Sequence, residues 1–443
     1  MGSPIFTGQP TTMETPLFTT EPAILGVLAV CLGLVFWTST SNNKILKGFY
    51  SVVPALLLCY LLPAIATSLG IIAPEWNVGT EAAPIVEKTQ VYYMASRYLL
   101  PAALVLMTLS IDLKGIFKLG PKALIMFLTG TAGIVIGGPI AILFVSWIYP
   151  EALGGTGPDA IWRGLSTIAG SWIGGGANQT AMFEIFEYNE SKYGGMILVD
   201  IVVANIWMAV VLLGIAKRDA INRWLRADAT AIEELKERVS SLVLSRLRTA
   251  TTADYVKIFS IAFIVVGLSH VVADFVSAGL SDTFEAVRNK KSALSSFGSG
   301  FFWLISVATA VGVALSFTPL RKLEDVGASR IGTAFIYILV ATIGMKMDLG
   351  QIFENPFLIV IGLIWMSIHA LLLIGVARWI RAPYFYLAVG SQANVGGAAS
   401  APVVAAAFHP ALATVGVLLA VLGYAIGTYA AQFCAYLMEI ASS

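Results

Sequence analysis

Asp200 stands inside the apolar run Met196-Ile197-Leu198-Val199-Asp200-Ile201-Val202-Val203-Ala204, which closes on Asn205. A carboxylate at membrane depth costs roughly 3 kcal/mol or more, so it faces a cavity on an ion or proton path or bonds a neighbouring helix. Two glycine-rich breaks lie in other apolar stretches. The first reads Gly170-Ser171-Trp172-Ile173-Gly174-Gly175-Gly176-Ala177-Asn178-Gln179-Thr180, and the second Gly390-Ser391-Gln392-Ala393-Asn394-Val395-Gly396-Gly397-Ala398-Ala399-Ser400. Both open on Gly-Ser, reach Gly-Gly and carry an Asn. Glycine costs a helix interior roughly 1 kcal/mol relative to alanine. Broken backbone at membrane depth is tolerated only where it is buried in protein or lines a wet cavity. Two such breaks, one in each half of a chain, point to a transporter binding site.

The chemistry of these breaks follows from their backbone. A helix start inside the membrane offers free N–H groups and about half a positive charge, which suit a carboxylate. Unwound carbonyls with hydroxyl and amide oxygens suit a hard cation such as sodium. Candidate substrate-binding residues are therefore Ser171, Gly175, Gly176 and Asn178 at the first break, with Ser391, Gln392, Asn394, Gly396 and Gly397 at the second. Candidate ion-coupling residues are Asp200, Asn205, Gln179, Thr180 and Ser400. The competing reading is that small residues here only allow close helix packing. Arg97, two turns into its apolar run, is a further candidate for a solute carboxylate, though snorkelling to the interface explains it equally well. His270 and Asp274 share a helical face. His369, near Ser367, reads as a hydrogen-bonded packing residue, and Asp112 and Asp348, at equivalent span ends, as capping or interface residues.

The elements that must position these groups are membrane helices. Hydrophobic residues make up 57% of the chain and charged ones 12%, against about 25% charged in soluble domains. Apolar stretches at 22–38, 47–69, 91–111, 121–148, 194–216, 255–279, 298–318, 331–347, 356–378 and 411–438 read as crossings. The broken stretches 159–187 and 382–408 remain to be placed, and positive charge decides between kinked crossings and re-entrant hairpins. Lys44, Lys47, Lys114, Lys118 and Lys122 mark the cytoplasmic side. The cluster Lys217, Arg218, Arg223 and Arg226 joins them only if the first break is re-entrant. That choice puts both termini outside the cell, at the cost of placing Arg288, Lys290 and Lys291 there too.

An internal echo supports two halves: Ile111-Asp112-Leu113-Lys114-Gly115-Ile116-Phe117 is matched by Met347-Asp348-Leu349-Gly350-Gln351-Ile352-Phe353. Each is followed by a long span, a glycine-rich break and a final span. The expected fold is an all-α polytopic membrane protein, with about ten transmembrane helices and two re-entrant hairpins in two inverted repeats. Residues 1–21 form an extracytoplasmic tail, 22–216 the first repeat with hairpin 159–187, and 255–443 the second with hairpin 382–408. Between them, 217–254 reads as a cytoplasmic amphipathic linker, with Trp224, Leu225, Ile232, Leu235, Val239, Leu242 and Leu247 at helical spacing. Positions equivalent to Asp200 and Asn205 in the second half are Val421 and Ile426, so the ion chemistry is expected to be asymmetric. Cys31, Cys59 and Cys434 lie in apolar runs without metal-ligand spacing.

The two tips, the Met196–Trp207 segment and the terminal Leu422-Gly423-Tyr424-Ala425-Ile426-Gly427-Thr428-Tyr429-Ala430-Ala431 run resemble the YjcL-like family of uncharacterised bacterial membrane proteins over nearly the whole chain. That family is grouped by fold with glutamate–sodium symporters, 2-hydroxycarboxylate carriers and bile-acid symporters. The resemblance implies an elevator-type carrier, in which a mobile core holding both tips slides against a scaffold, usually as a homodimer.

The expected function is a secondary active transporter of a small organic anion or amino-acid-like solute in the cell membrane, coupled to sodium or protons. The alternative is a cation–proton antiporter, for which Asp200 lacks a paired carboxylate. No enzyme activity is expected, because no nucleophile motif with a histidine base accompanies Ser171 or Ser391. No cofactor is expected beyond Na+ as coupling ion. A net charge of +1 without a basic stripe gives no reason to expect nucleic acid, and no ATP-binding motif is present.

Overall fold

The computed structural model describes residues 15–53, 55–78, 85–148, 157–227, 235, 249–288, 295–350, 357–409 and 412–442. Apart from the antiparallel pair β1 (Glu75–Asn77) and β2 (Val86–Lys88), with Trp76 opposite Glu87, the regular structure is helical. The early helices are α1 (Glu21–Ser39), α2 (Lys44–Val52), α3 (Ala55–Ser68) and α4 (Val91–Met94). A π-helical stretch, Ala95–Leu99, leads into α5 (Leu100–Leu109) and α6 (Leu113–Lys118). The first broken region comprises α7 (Pro121–Ile148), α8 (Ile161–Ile185) and α9 (Tyr193–Ala216), followed by α10 (Arg218–Leu225). Next come α11 (Thr252–Thr283), α12 (Glu285–Arg288), α13 (Gly300–Ser316) and α14 (Ala328–Gly344). The second broken region comprises α15 (Phe357–Trp379), α16 (Tyr384–Val395), α17 (Gly397–Phe408) and α18 (Ala413–Ser442).

Each of the ten apolar stretches contains helix, within a few residues of its expected limits. Among the described residues six helices are long and apolar enough to cross a membrane, namely α1, α7, α9, α11, α15 and α18. The number is eight if each of two bent pairs is one span. In the remaining stretches each single α-helix is shorter than the ~20 residues a crossing helix needs. The 91–111 stretch is divided by its π-helical segment, and α14 has 17 residues.

The chain divides into two compact units. In the first, residues 1–97 and 337–351, the core gathers Ile24, Leu28, Ala66, Ile72, Trp76, Val91, Ala341 and Met345. The Glu21 carboxylate accepts from Thr89 Oγ1 at 2.6 Å and from the Gln90 N–H at 2.8 Å, anchoring the start of α4 to α1.

In the second unit, residues 98–336 and 352–443, the core lies among α7, α15, α16 and α18. Glycines let backbones meet here. A Cβ on Gly133 of α7 would lie 3.0 Å from the His369 Cα, and one on Gly130 would lie 2.8 Å from Asn394 Nδ2. Small residues at such crossings are how helices approach closely in lipid. The linker residues Trp224 and Leu225 belong to α10, where the Arg378 guanidinium lies 5.4 Å from the Trp224 ring centroid. Ile232, Val239, Leu242 and Leu247 lie outside the described residues, as do Lys290 and Lys291.

Candidate functional site

The first break falls at Gly175, whose φ of 73° and ψ of −173° interrupt α8. A left-handed φ of this kind is open to glycine and strained for other residues. The backbone turns sharply here: a Cβ on Gly170 would lie 2.5 Å from the Asn178 carbonyl oxygen. In an unbroken helix residues 170 and 178 would stand about 12 Å apart.

Asp200 of α9 ties the two arms together. Its carboxylate accepts from Ser171 Oγ at 2.6 Å and Trp172 Nε1 at 2.7 Å, before the break, and from Gln179 Nε2 at 3.0 Å, after it. An indole N–H and an amide N–H can only donate, so the oxygens they meet act as acceptors. The burial cost of the carboxylate is thus offset by three bonds, all from α8.

The second break lies between α16 and α17, where Gly397 takes a φ of 56°. It is equally sharp, since Ser400 Oγ donates to Gln392 Oε1, eight residues back, at 2.9 Å. The Gln392 side chain is 1% exposed, and its Nε2 has no hydrogen-bond partner. No side chain caps the start of α17, so its first N–H groups have no intrahelical acceptor. A Cβ on Gly397 would meet nothing within 4 Å. Ser391 has a different partner from Ser171: its Oγ lies 2.8 Å from His369 Nε2 and accepts from Trp207 Nε1 at 2.8 Å.

The two asparagines are held alike. Asn178 Nδ2 donates to the Gly174 and Tyr424 carbonyls at 3.0 and 3.1 Å, and its Oδ1 accepts from Thr428 Oγ1. Asn394 Nδ2 donates to the Gly390 and Phe127 carbonyls, both at 2.9 Å, and its Oδ1 accepts from Thr131 Oγ1 at 2.8 Å. In each case the side chain bridges the carbonyl four residues back to a carbonyl and a threonine one turn apart on another helix. The breaks also share a wall: a Cβ on Gly423 of α18 would lie 2.7 Å from the Ile173 oxygen and 3.5 Å from the Ala393 oxygen. Trp172 packs on Trp365 with ring centroids 5.0 Å apart.

The other expected site residues make local contacts at the breaks or lie apart from them. Asn205 lies on the exposed face of α9 with its amide bonded to the Ile201 carbonyl at 2.8 Å, because five residues carry it off the face of Asp200. Thr180 Oγ1 bonds the Gly176 carbonyl at 2.9 Å. Gly176 faces Ile336, and Gly396 leaves the space that the Ser400 and Gln392 side chains fill. Arg97 belongs to the first unit, its guanidinium 5.9 Å from the Tyr93 ring centroid.

Sequence reasoning missed Trp172, Trp207, Thr131 and Thr428 as partners, whereas His369 is buried and hydrogen-bonded as expected. Trp207 carried a signal, standing seven residues, two turns, after Asp200 on α9. The base judged missing for Ser391 is His369, although the oriented group behind it is the Gly130 carbonyl rather than a carboxylate. Outside the apolar helices, Asp159 holds the entry to α8 against Lys192 at 2.8 Å. The hydrogen bonds from Lys192 and Asn189 keep its carboxyl below the usual aspartate range. Among the described residues no three His, Cys, Asp or Glu side chains gather as a metal site.

The profile of the family described as "Protein of unknown function (DUF819)" matches residues 26–440. Over 364 residues the chain is 27% identical to "Uncharacterized membrane protein YjcL" of Bacillus subtilis (strain 168), covering 80% of this chain and 86% of that protein. The relationship agrees with the resemblance read from the tips.

Proposed function

We propose that this chain, which belongs to the DUF819 family, is a secondary active transporter of a small organic anion or amino-acid-like solute. Coupling is to sodium or protons, and the mechanism is an elevator-type alternation. The multi-pass apolar helices are compatible with transport. The observation that carries the reading is the buried, unpartnered Gln392 Nε2 beside the uncapped start of α17. A buried donor left unpaired costs about 1–3 kcal/mol, and an acceptor from solute relieves that cost. A helix N-terminus with one amide donor and no cation favours a carboxylate or a carbonyl over an ammonium group.

The inverted-repeat and re-entrant readings draw support from the matching asparagine geometry and from the sharpness of both turns. In this reading 159–187 and 382–408 dip in from opposite sides, with Gly423 between them. Asp200 fixes the first tip and supplies its one formal charge. The protein works in the cell membrane as a homodimer with both termini outside.

The test is solute counterflow in proteoliposomes with a panel of dicarboxylates and amino acids, with and without a sodium or pH gradient. Exchange of at least one carboxylate, with affinity about ten-fold weaker in Gln392→Met, is the expected result. Absence of exchange for every solute under every gradient overturns the reading.

A further inference from the structure

We infer that His369 is the proton-binding site of this carrier and acts on the second tip through Ser391, an inference that rests on the transport reading above. The hydrogen-bond directions leave little freedom. His369 Nδ1 lies 2.9 Å from the Gly130 carbonyl oxygen. A carbonyl only accepts, so Nδ1 carries hydrogen and Nε2 of the neutral ring carries the lone pair. Ser391 Oγ, 2.8 Å from Nε2, therefore donates to it. Trp207 Nε1 can only donate, and its target is the same Oγ at 2.8 Å. Trp207, Ser391 and His369 thus donate in one direction, ending on the Gly130 carbonyl.

A proton on Nε2 reverses the central link. Ser391 Oγ then faces two donors, and its own hydrogen must turn to another acceptor. Ser391 adjoins Gln392, whose amide stands unpaired at the tip, so proton binding is felt one residue from the solute donor. The ring is held closely enough to transmit this change, since a Cβ on Gly130 would lie 3.3 Å from its Cε1 and one on Gly133 would lie 3.3 Å from its Nδ1.

The charged and titratable groups on the surrounding elements are few. On α7 there is Lys122, two turns from Gly130, and on α9 there are Tyr193 and Asp200, the latter two turns from Trp207. On α16 there are Tyr384 and Tyr386. On α15 itself Arg378 is nine residues from His369, and α10, with Arg218, Asp219 and Arg223, meets α15 at Arg378. Asp200 is joined to the neighbourhood of His369 through Trp172 and Trp365. The first break has no such switch, because Ser171 donates to a carboxylate already holding two further donors.

The chain has three histidines, His270, His369 and His409, which makes imidazole nitrogen NMR of the full-length protein in nanodiscs decisive. Wild type should show one ring protonated at Nδ1, absent in His369→Gln, that takes a second proton within the pH range of transport. That titration should shift in Ser391→Ala. In proteoliposomes an acid-outside gradient of one pH unit should drive about ten-fold accumulation for one proton per solute. In His369→Gln the same gradient should drive none. A ring carrying its proton on Nε2, or one that never takes a second proton, overturns the inference even if the variants fail to fold. So does gradient-driven accumulation unchanged in His369→Gln. Wild-type exchange that ignores pH removes the proton role and leaves transport standing, whereas no exchange at all removes transport itself.

Discussion

At the first break Ser171 donates to a carboxylate; at the second, Ser391 donates to a histidine. The backbones around them are alike, each with a glycine at positive φ and an asparagine bridging to a neighbouring helix. The glutamines complete the contrast. Gln179 Nε2 is taken up by Asp200, and Gln392 Nε2 is left over. One scaffold therefore carries two chemistries: a closed end, where every donor is satisfied, and an open end, where one is held in reserve. The lesson is that sharing a backbone device does not imply sharing a role.

The largest effect should come from removing the closed end. Asp200→Ala strands three donors, two of them on fully buried side chains, and should cost about 3–6 kcal/mol. Thermal unfolding of the purified protein reads that loss, and a change under 1 kcal/mol would sink the view of Asp200 as the tie between the arms of α8. The shared scaffold comes next. Asn178→Ala and Asn394→Ala should each destabilise by about 2–4 kcal/mol, and by similar amounts, because each removes the same set of bonds. If only one of the pair is destabilised in the same assay, the clamps are not equivalent.

The open end should behave in the opposite way. Gln392→Met removes an unpaired N–H donor along with the single bond from Ser400 Oγ, so stability should change by no more than about 1 kcal/mol. Affinity for the transported solute should nevertheless fall about ten-fold, as loss of one hydrogen bond to a charged group implies. A strongly destabilised Gln392→Met with intact affinity would reverse the assignment of ends.

The smallest effect concerns the entry to α8. The folded-state carboxyl of Asp159 is depressed by Lys192 and Asn189. Its stabilisation is therefore complete above the unfolded aspartate value of about 4 and fades as pH falls through the lower folded value. Asp159→Asn should flatten that acid limb of an unfolding-temperature profile and leave the neutral range nearly unchanged. The pair is partly exposed, so the change is small.

Much of the architecture was readable along the chain. The α7 limits coincide with the expected 121–148, and α15 differs from 356–378 by one residue at each end. Both breaks sit where glycine clusters interrupt apolar runs, since helix-breaking is a local property of the backbone. Asp200 was legible as a costly group needing partners. Its partners were not, because Ser171, Trp172 and Gln179 reach it only when α8 bends at Gly175. His369 was legible as a hydrogen-bonded packing residue, but its partners were not: Gly130, Ser391 and Trp207 are far from it in sequence and only helix packing collects them.

The sequence by itself determined the membrane helices, the two breaks and the need to compensate an intramembrane carboxylate, because hydropathy, glycine content and desolvation cost act residue by residue. Tertiary structure decided which polar groups meet. It paired Asp200 with one tip and His369 with the other, left Asn205 on an outer face and kept the Gln392 amide unpaired. Helical period fixes which face a residue occupies, and only packing fixes what lies opposite that face.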